Sequence, residues 1–232
     1  MNKKLIGIPL WNQGENSVGA TKPYLEWARQ FGSVVILSPD TFIEDLDLLI
    51  LPGGKDIINS SDNDFSFYNS DGERFLEAFE NLSLYKYINN ETPIFGICRG
   101  FQKLLNHYGA NLVQNINWGH GYSKSESDLE AHEIIIEDED YFKFGMFKSK
   151  HKIEIGSWHH QGILVSDCPE CFDVIAYSND FGNRKDSIVN KDHCLIEYAI
   201  HKTLPIAGTQ SHPERNYFNF DIGLVKYLMS KK

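Results

Sequence analysis

Short apolar runs and amphipathic stretches alternate along the first half of the chain. LIGIPLW, SVVILSP, DLDLLILPGG and PIFGIC are β-rich, and TKPYLEWARQFG and ERFLEAFENLSLYKYINN between them carry apolar residues at helical spacing. LDLLIL and PIFGI are nearly unbroken apolar runs, the pattern of central parallel strands covered on both faces. Strand and helix in alternation predict an α/β protein, a parallel sheet with helices on both sides. In the helix before PIFGIC the apolar stripe is Phe75, Leu76, Phe79, Leu82 and Leu84 or Tyr85, with Asp71, Glu73, Glu77 and Glu80 on the remaining positions.

After Gly109 the pattern changes. NLVQNI, HEIIIED, HKIEIG, DVIAYSND and HCLIEYAIH are short and β-branched, and predict smaller strands before PIAGTQSHPE and a last helix, FNFDIGLVKYLM. No Pro/Ser/Gly linker or repeat separates the halves, so residues 1–232 read as one domain. The polar segment NSSDNDFSFYNSDGE and the acidic run from Ile136 to Asp140 read as solvated loops.

Charge narrows the partners. The net charge of −10 argues against a nucleic-acid backbone or an anionic membrane, both of which would repel the chain, and favours small molecules or other proteins. LIGIPLW is cut short by Asn12, Gln13 and Gly14, so neither a signal peptide nor a membrane span is expected, and the expected location is cytoplasmic. The four cysteines do not form a disulfide framework by their spacing. CPEC at 168–171, with His193 and Cys194, has zinc-like residue types, but two of its ligands are neighbours that a strand would turn to opposite faces. The expectation is therefore ordinary thiols, no metal and no cofactor.

The chemistry concentrates at PIFGICRGFQ. A cysteine on a tight turn between strand and helix is held clear of the sheet, near backbone N–H groups at the helix start that stabilise a thiolate and an oxyanion. Gly96 and Gly100 flank Cys98 because side chains there would clash with neighbouring elements or with a substrate. The base such a thiol needs is supplied by GTQSHPE. On an extended strand His212 and Glu214 would share one side, where Glu214 orients the imidazole and His212 deprotonates Cys98.

FGICRGFQ, PGGKDI, SWHHQ and GTQSHPE, in this order, resemble the class I glutamine amidotransferase-like superfamily, and within it the γ-glutamyl hydrolase branch that includes γ-glutamyl-γ-aminobutyrate hydrolase, the C26 peptidase family. The resemblance runs from IGIPLW to the terminal helix. It implies a flavodoxin-like fold, a mostly parallel central sheet flanked by helices with a small antiparallel extension in the second half. It also implies a Cys98–His212–Glu214 triad, a γ-glutamyl thioester, and an oxyanion hole from the backbone of Gly54 and Arg99, with Gly53 setting the turn. Gln102, one turn after the cysteine, is expected to contact the glutamyl moiety or to cap backbone groups. Ser157, His159, His160 and Gln161 are expected beside the substrate, although adjacent histidines on a strand would send only one of the pair into the cleft.

Two departures stand out. Ser211 occupies the place where the resembled branch has tryptophan, a smaller polar group expected to widen the cleft or admit water beside the base. Glu77 and Glu80 stand without the Arg-Asp pair usual on the covering helix. The implied activity is hydrolysis of the γ-glutamyl amide of a small molecule, and the acidic surface mildly favours a cationic leaving amine. The alternative is a glutaminase subunit that hands ammonia to a partner synthetase. A homodimer stays open in either case.

Overall fold

The apolar runs of the first half become strands that pair in parallel, and LLIL and IFGI among them are buried at every position and are each followed by a helix that returns the chain. The computed structural model describes residues 3–14, 17–57, 74–116, 131–136, 152–178, 190–215 and 219–232. Strand β1 (Leu5–Pro9) leads into a small hairpin of β2 (Trp11–Gly14) and β3 (Ser17–Gly19), then α1 (Lys22–Ala28), β4 (Ser33–Leu37) and β5 (Leu48–Leu51). Next come α2 (Arg74–Leu82), α3 (Leu84–Asn89), β6 (Ile94–Ile97) and α4 (Arg99–His107). The second half supplies β7 (Ala131–Ile136), β8 (Lys152–Gly156), β9 (Phe172–Ser178), β10 (Leu195–His201), β11 (Ile206–Thr209) and α5 (Asn219–Met229).

Nine strands form one sheet in the order β4-β1-β5-β6-β11-β10-β9-β7-β8. The first five pair in parallel and the last four continue antiparallel, as expected for this α/β architecture. Alternate residues of β5 feed two cores. Leu48 and Ile50 pack with Trp27 of α1 and Phe220, Leu224 and Leu228 of α5. Leu49 and Leu51 pack with Phe79, Leu84 and Tyr87 of α2 and α3 and Phe101, Leu104 and Leu105 of α4. These β5 leucines and isoleucine are fully buried, and each such side chain contributes about 1.5–3 kcal/mol over its exposed state.

Two expectations shift, and one element is new. The helix foreseen from Glu73 to Asn90 breaks at Ser83, whose hydroxyl donates to Pro39 O at 2.8 Å, and Phe75, Leu82 and Tyr85 of its apolar stripe are exposed. NLVQNI makes only an isolated bridge, Val113 to Gly162. The β2–β3 hairpin had no signal in the pattern. The polar segment after Asn59 and the acidic run beyond Ile136 lie outside the described residues. Among the described residues, no helix is long and apolar enough to cross a membrane.

The neighbouring parallel strands β5, β6 and β11 all end at one edge. The segments that leave them carry Gly53, Cys98 and His212, so the topology brings together residues far apart in sequence. This is the carboxyl edge of the parallel sheet, where open α/β proteins bind ligands.

Candidate active site

Cys98 is the single residue between β6 and α4, and its backbone is strained, with φ +50° and ψ −110°. A positive φ at a non-glycine residue costs about 1–3 kcal/mol and persists only where the surroundings impose it. Here they do. The Cys98 N–H donates to Thr209 O at 2.8 Å, anchoring the turn to β11. A Cβ at Gly96 would lie 2.7 Å from the Phe101 backbone, and one at Gly100 2.3 Å from Leu51 O, so both glycines are required by close approach.

The helix start is also fixed from the side. Arg99 forms a buried two-pronged ion pair with Glu80 of α2, and Lys103 Nζ approaches the same carboxylate at 3.9 Å. The Arg99 guanidinium is therefore committed to α2, while its backbone N–H belongs to the first turn of α4, where intrahelical acceptors are lacking.

His212 Nδ1 lies 2.7 Å from Glu214 Oε1, and both side chains are nearly buried. Strand alternation is not what joins them. β11 stops at Thr209, and His212 to Arg215 form a turn closed by Arg215 N–H donating to His212 O at 3.0 Å. Glu214 takes Nδ1, which leaves Nε2 free to serve the Cys98 sulfur that the imidazole faces. Burial alone would lower the His212 pKa, but the facing Cys98 and Glu214 charges outweigh it and raise it to about 10. The geometry is that of a cysteine facing an imidazole oriented by a carboxylate. Trp158 packs its ring edge-on to His212 at 5.4 Å, and Arg215 lies over the Trp158 face at 4.6 Å.

The PGG turn stands directly opposite. A Cβ at Gly53 would come within 3.1 Å of His212 Cε1 and 3.5 Å of Cys98 Cβ. The Gly53 N–H donates to the buried Tyr24 hydroxyl at 2.8 Å, so Gly53 shapes the turn and cannot offer that proton to an oxyanion. Gly54 is exposed on the cavity wall, beside Cys98 and Arg99. Tyr24 in turn faces Glu214 and Cys98. Burial first, and then those two charges, raise its phenol well above the usual range, so it stays a neutral hydroxyl.

The SWHHQ residues do more holding than the sequence indicated. Gln161 accepts from Ile57 N–H at 3.0 Å and donates to Ile57 O at 3.0 Å, clamping the segment that follows the PGG turn. His160 Nε2 lies 2.8 Å from Asp56 Oδ1, and His159 Nδ1 lies 2.8 Å from Gln161 O. Both histidines line the cavity, contrary to the expectation of one, because β8 ends at Gly156 and the following backbone is no longer pleated. Ser157 is buried and lies off the cavity wall. Gln102 lines the cavity while donating to Gln161 O at 2.9 Å and to Gln210 Oε1 at 3.0 Å.

Ser211 does not line the cavity. It is buried behind the base, where its hydroxyl lies 2.7 Å from Thr209 Oγ1 and 3.2 Å from Tyr198 Oη. Tyr24, Gln210, Trp158 and Asp56 are the site residues that sequence reasoning missed. The cavity, lined by all of these but Gln210, measures about 620 Å³, and its wall carries Lys55 and Arg215 as well as acids, so the acidic overall charge is not repeated there. Among the described residues, no cluster of three metal-ligating side chains occurs, and Cys168, Cys171 and Cys194 are free thiols. Burial pushes the Cys168 thiol up to about 11, which leaves it protonated and a poor ligand or nucleophile.

A parallel sheet with a strained cysteine after one strand, facing a histidine–carboxylate turn after the next, defines a class I glutamine amidotransferase-like protein. The sequence model of the Peptidase C26 family matches residues 20–214, and the chain belongs to that family. It is 27% identical over 183 residues to a glutamine-hydrolyzing GMP synthase subunit of Methanococcus maripaludis, covering 79% of this chain and 72% of that protein. It is 24% identical over 222 residues to the glutamine amidotransferase-like protein YvdE of Lactococcus lactis, covering 89% and 84%. The solved PurLQS structure of Thermotoga maritima shares the fold, with a TM-score of 0.62 at 22% identity and 99% of each chain covered.

Proposed function

We propose that the protein is a cysteine-dependent hydrolase that cleaves the γ-glutamyl amide bond of a small conjugate through a γ-glutamyl thioester. The observation that carries this reading is Cys98, strained at the strand-to-helix turn and paired with the His212–Glu214 dyad at the wall of a polar cavity. His212 takes the thiol proton, and the Cys98 sulfur attacks the amide carbonyl carbon. The C–N bond breaks as the imidazolium gives its proton to the departing amine. Water then loses a proton to His212 and attacks the thioester. The C–S bond breaks with its electron pair on sulfur, and the glutamyl acid leaves.

The backbone N–H groups of Gly54 and Arg99 hold the oxyanion in both halves, and a lost donor of this kind costs about 2.7–4 kcal/mol of transition-state stabilisation. Gln102, His159, His160 and Gln161 form the wall against which the glutamyl part lies. A cavity of 620 Å³ lies within the range of about 300–1,000 Å³ that accommodates drug-sized ligands, and leaves room for a leaving group beyond the glutamyl unit.

A second reading rests on one observation: the relative matched over 79% of this chain is named as part of a glutamine-hydrolyzing synthase. In that reading the substrate is glutamine, the leaving amine is ammonia, and a partner synthetase receives it. The test is glutamate release from glutamine, γ-glutamyl-γ-aminobutyrate, γ-glutamyl polyamines and γ-glutamyl nucleotide conjugates, with Cys98→Ala as control. Cys98-dependent turnover of one conjugate well above glutamine supports the hydrolase. Turnover of glutamine alone, or of nothing until a synthetase is added, supports the partner-dependent glutaminase.

A further inference from the structure

Three amides run in line from the SWHHQ segment to the sulfur of Cys98, and the first acceptor fixes the polarity of them all. Gln161 O is a carbonyl and can only accept, so the Gln102 side-chain atom 2.9 Å away is its NH2 group. The same nitrogen lies 3.0 Å from the side chain of Gln210, which must therefore present its oxygen. The Gln210 NH2 is then turned the other way, and it lies 3.6 Å from Cys98 Sγ. Gln102 and Gln210 are 2% and 1% exposed, so water does not compete for these bonds. The Gln210 backbone is held as well, its N–H donating to Glu197 O at 2.8 Å.

We propose that Gln210 is a catalytic residue that donates a hydrogen bond to the Cys98 thiolate, and that Gln102 is a positioning residue that keeps the Gln210 amide in its donating orientation. A donor aimed at a buried anion favours the charged form of that group. His212 also faces the sulfur, but it surrenders its proton during the reaction. Gln210 cannot, so it remains a donor whether the imidazole is charged or neutral. It is in place when the C–S bond of the thioester breaks and the electron pair returns to sulfur. This role rests on Cys98 being the nucleophile and is independent of which amine leaves.

The test reads the thiol directly, without a substrate. The rate of Cys98 alkylation by iodoacetamide is followed against pH by peptide-resolved mass spectrometry, which separates it from Cys168, Cys171 and Cys194. The groups that also set this profile are His212 with Glu214 from the turn after β11, Tyr24 from α1, and the Arg99–Glu80 pair at the start of α4, and all are left intact. In Gln210→Leu the titration is expected to move to higher pH, with alkylation at neutral pH roughly tenfold slower, as for loss of one hydrogen bond to a charged group. Gln102→Leu is expected to move it in the same direction by less. The double variant should move it no further than Gln210→Leu, because Gln102 acts through Gln210. Gln210→Glu keeps the shape but removes the donor, and should move the profile the same way if the leucine variant does not fold. An unchanged profile in both Gln210 variants overturns the donor role, and additive shifts in the double variant overturn the positioning role of Gln102. Failure of every γ-glutamyl substrate would leave these profiles unaltered, so the two readings fail separately.

Discussion

The Tyr24 hydroxyl accepts the amide proton of Gly53 at 2.8 Å and faces the Glu214 carboxylate, so one buried phenol on α1 links the PGG turn to the group that orients the base. Tyr24→Phe keeps the ring but removes the acceptor, leaving a buried N–H unpaired at a cost of about 1–3 kcal/mol. Urea denaturation should read that loss. Glutamate release should fall by about tenfold in kcat with KM little changed, less than the 10²–10³ typical when an oxyanion donor itself is removed. A wild-type kcat in a destabilised Tyr24→Phe protein would reduce the link to a structural one.

How much of this site could be read beforehand follows from where each interaction lives. Cys98 between Gly96 and Gly100 was legible because an elbow of this kind is a local matter of backbone shape. His212 and Glu214 were legible as a pair, though for a reason that did not hold, since a turn and not a strand brings them together. Ser211 was misplaced because its direction depends on Tyr198 and Thr209, which a strand pattern does not reveal. The break at Ser83 was hidden likewise, its hydroxyl serving Pro39 O across 44 residues. Tyr24 reaches Gly53 across 29 residues and Gln210 reaches Cys98 across 112, contacts that only the strand order creates.

The raised pKa of His212 fixes the sign of a pH dependence. Burial opposes the shift, and the charges of Cys98 and Glu214 carry the value from 6.5 to about 10 in the folded protein. A group bound more tightly to its proton when folded adds stability that is complete below its unfolded pKa and disappears as pH rises through the folded one. Stability of the wild type in urea should therefore decline between pH 6.5 and about 10. Cys98→Ala removes the largest source of the upward shift, so its decline should be shallower and its His212 resonance should titrate at lower pH by NMR. An identical His212 titration in the two proteins would show that Cys98 carries no charge beside the imidazole.

Glu80 is the fixed point behind the helix that Cys98 caps. Its carboxylate is fully buried against the Arg99 guanidinium, itself only 3% exposed. Replacing one partner leaves the other charge buried and unpaired, so Glu80→Ala should cost about 3–5 kcal/mol, while an apolar replacement of both need not. The comparison is Glu80→Met against Glu80→Met/Arg99→Met by chemical denaturation. The double variant should recover most of the loss, and because the Arg99 backbone N–H survives in it, part of the activity should return too. Recovery of stability without any activity would mean that the guanidinium has a second task at the cavity.

Gln161 offers the sharpest separation between holding and touching. Its amide meets both the N–H and the carbonyl of Ile57, each at 3.0 Å, and its own backbone carbonyl receives Gln102 and His159. A side chain that serves mainly to clamp residues 53–57 should act through the Gly54 N–H, which is needed in the transition state more than in the ground state. Gln161→Met keeps the length and the backbone carbonyl while removing the clamp. Its expected signature is a lower kcat with KM near wild type, together with faster hydrogen exchange at Ile57. Were Gln161 instead a direct ligand of the glutamyl group, bound equally in both states, the same variant would raise KM and spare kcat. Because the backbone carbonyl that orients Gln102 is retained, the Cys98 alkylation profile should not move in this variant, which separates the clamp from the amide line that ends on the sulfur.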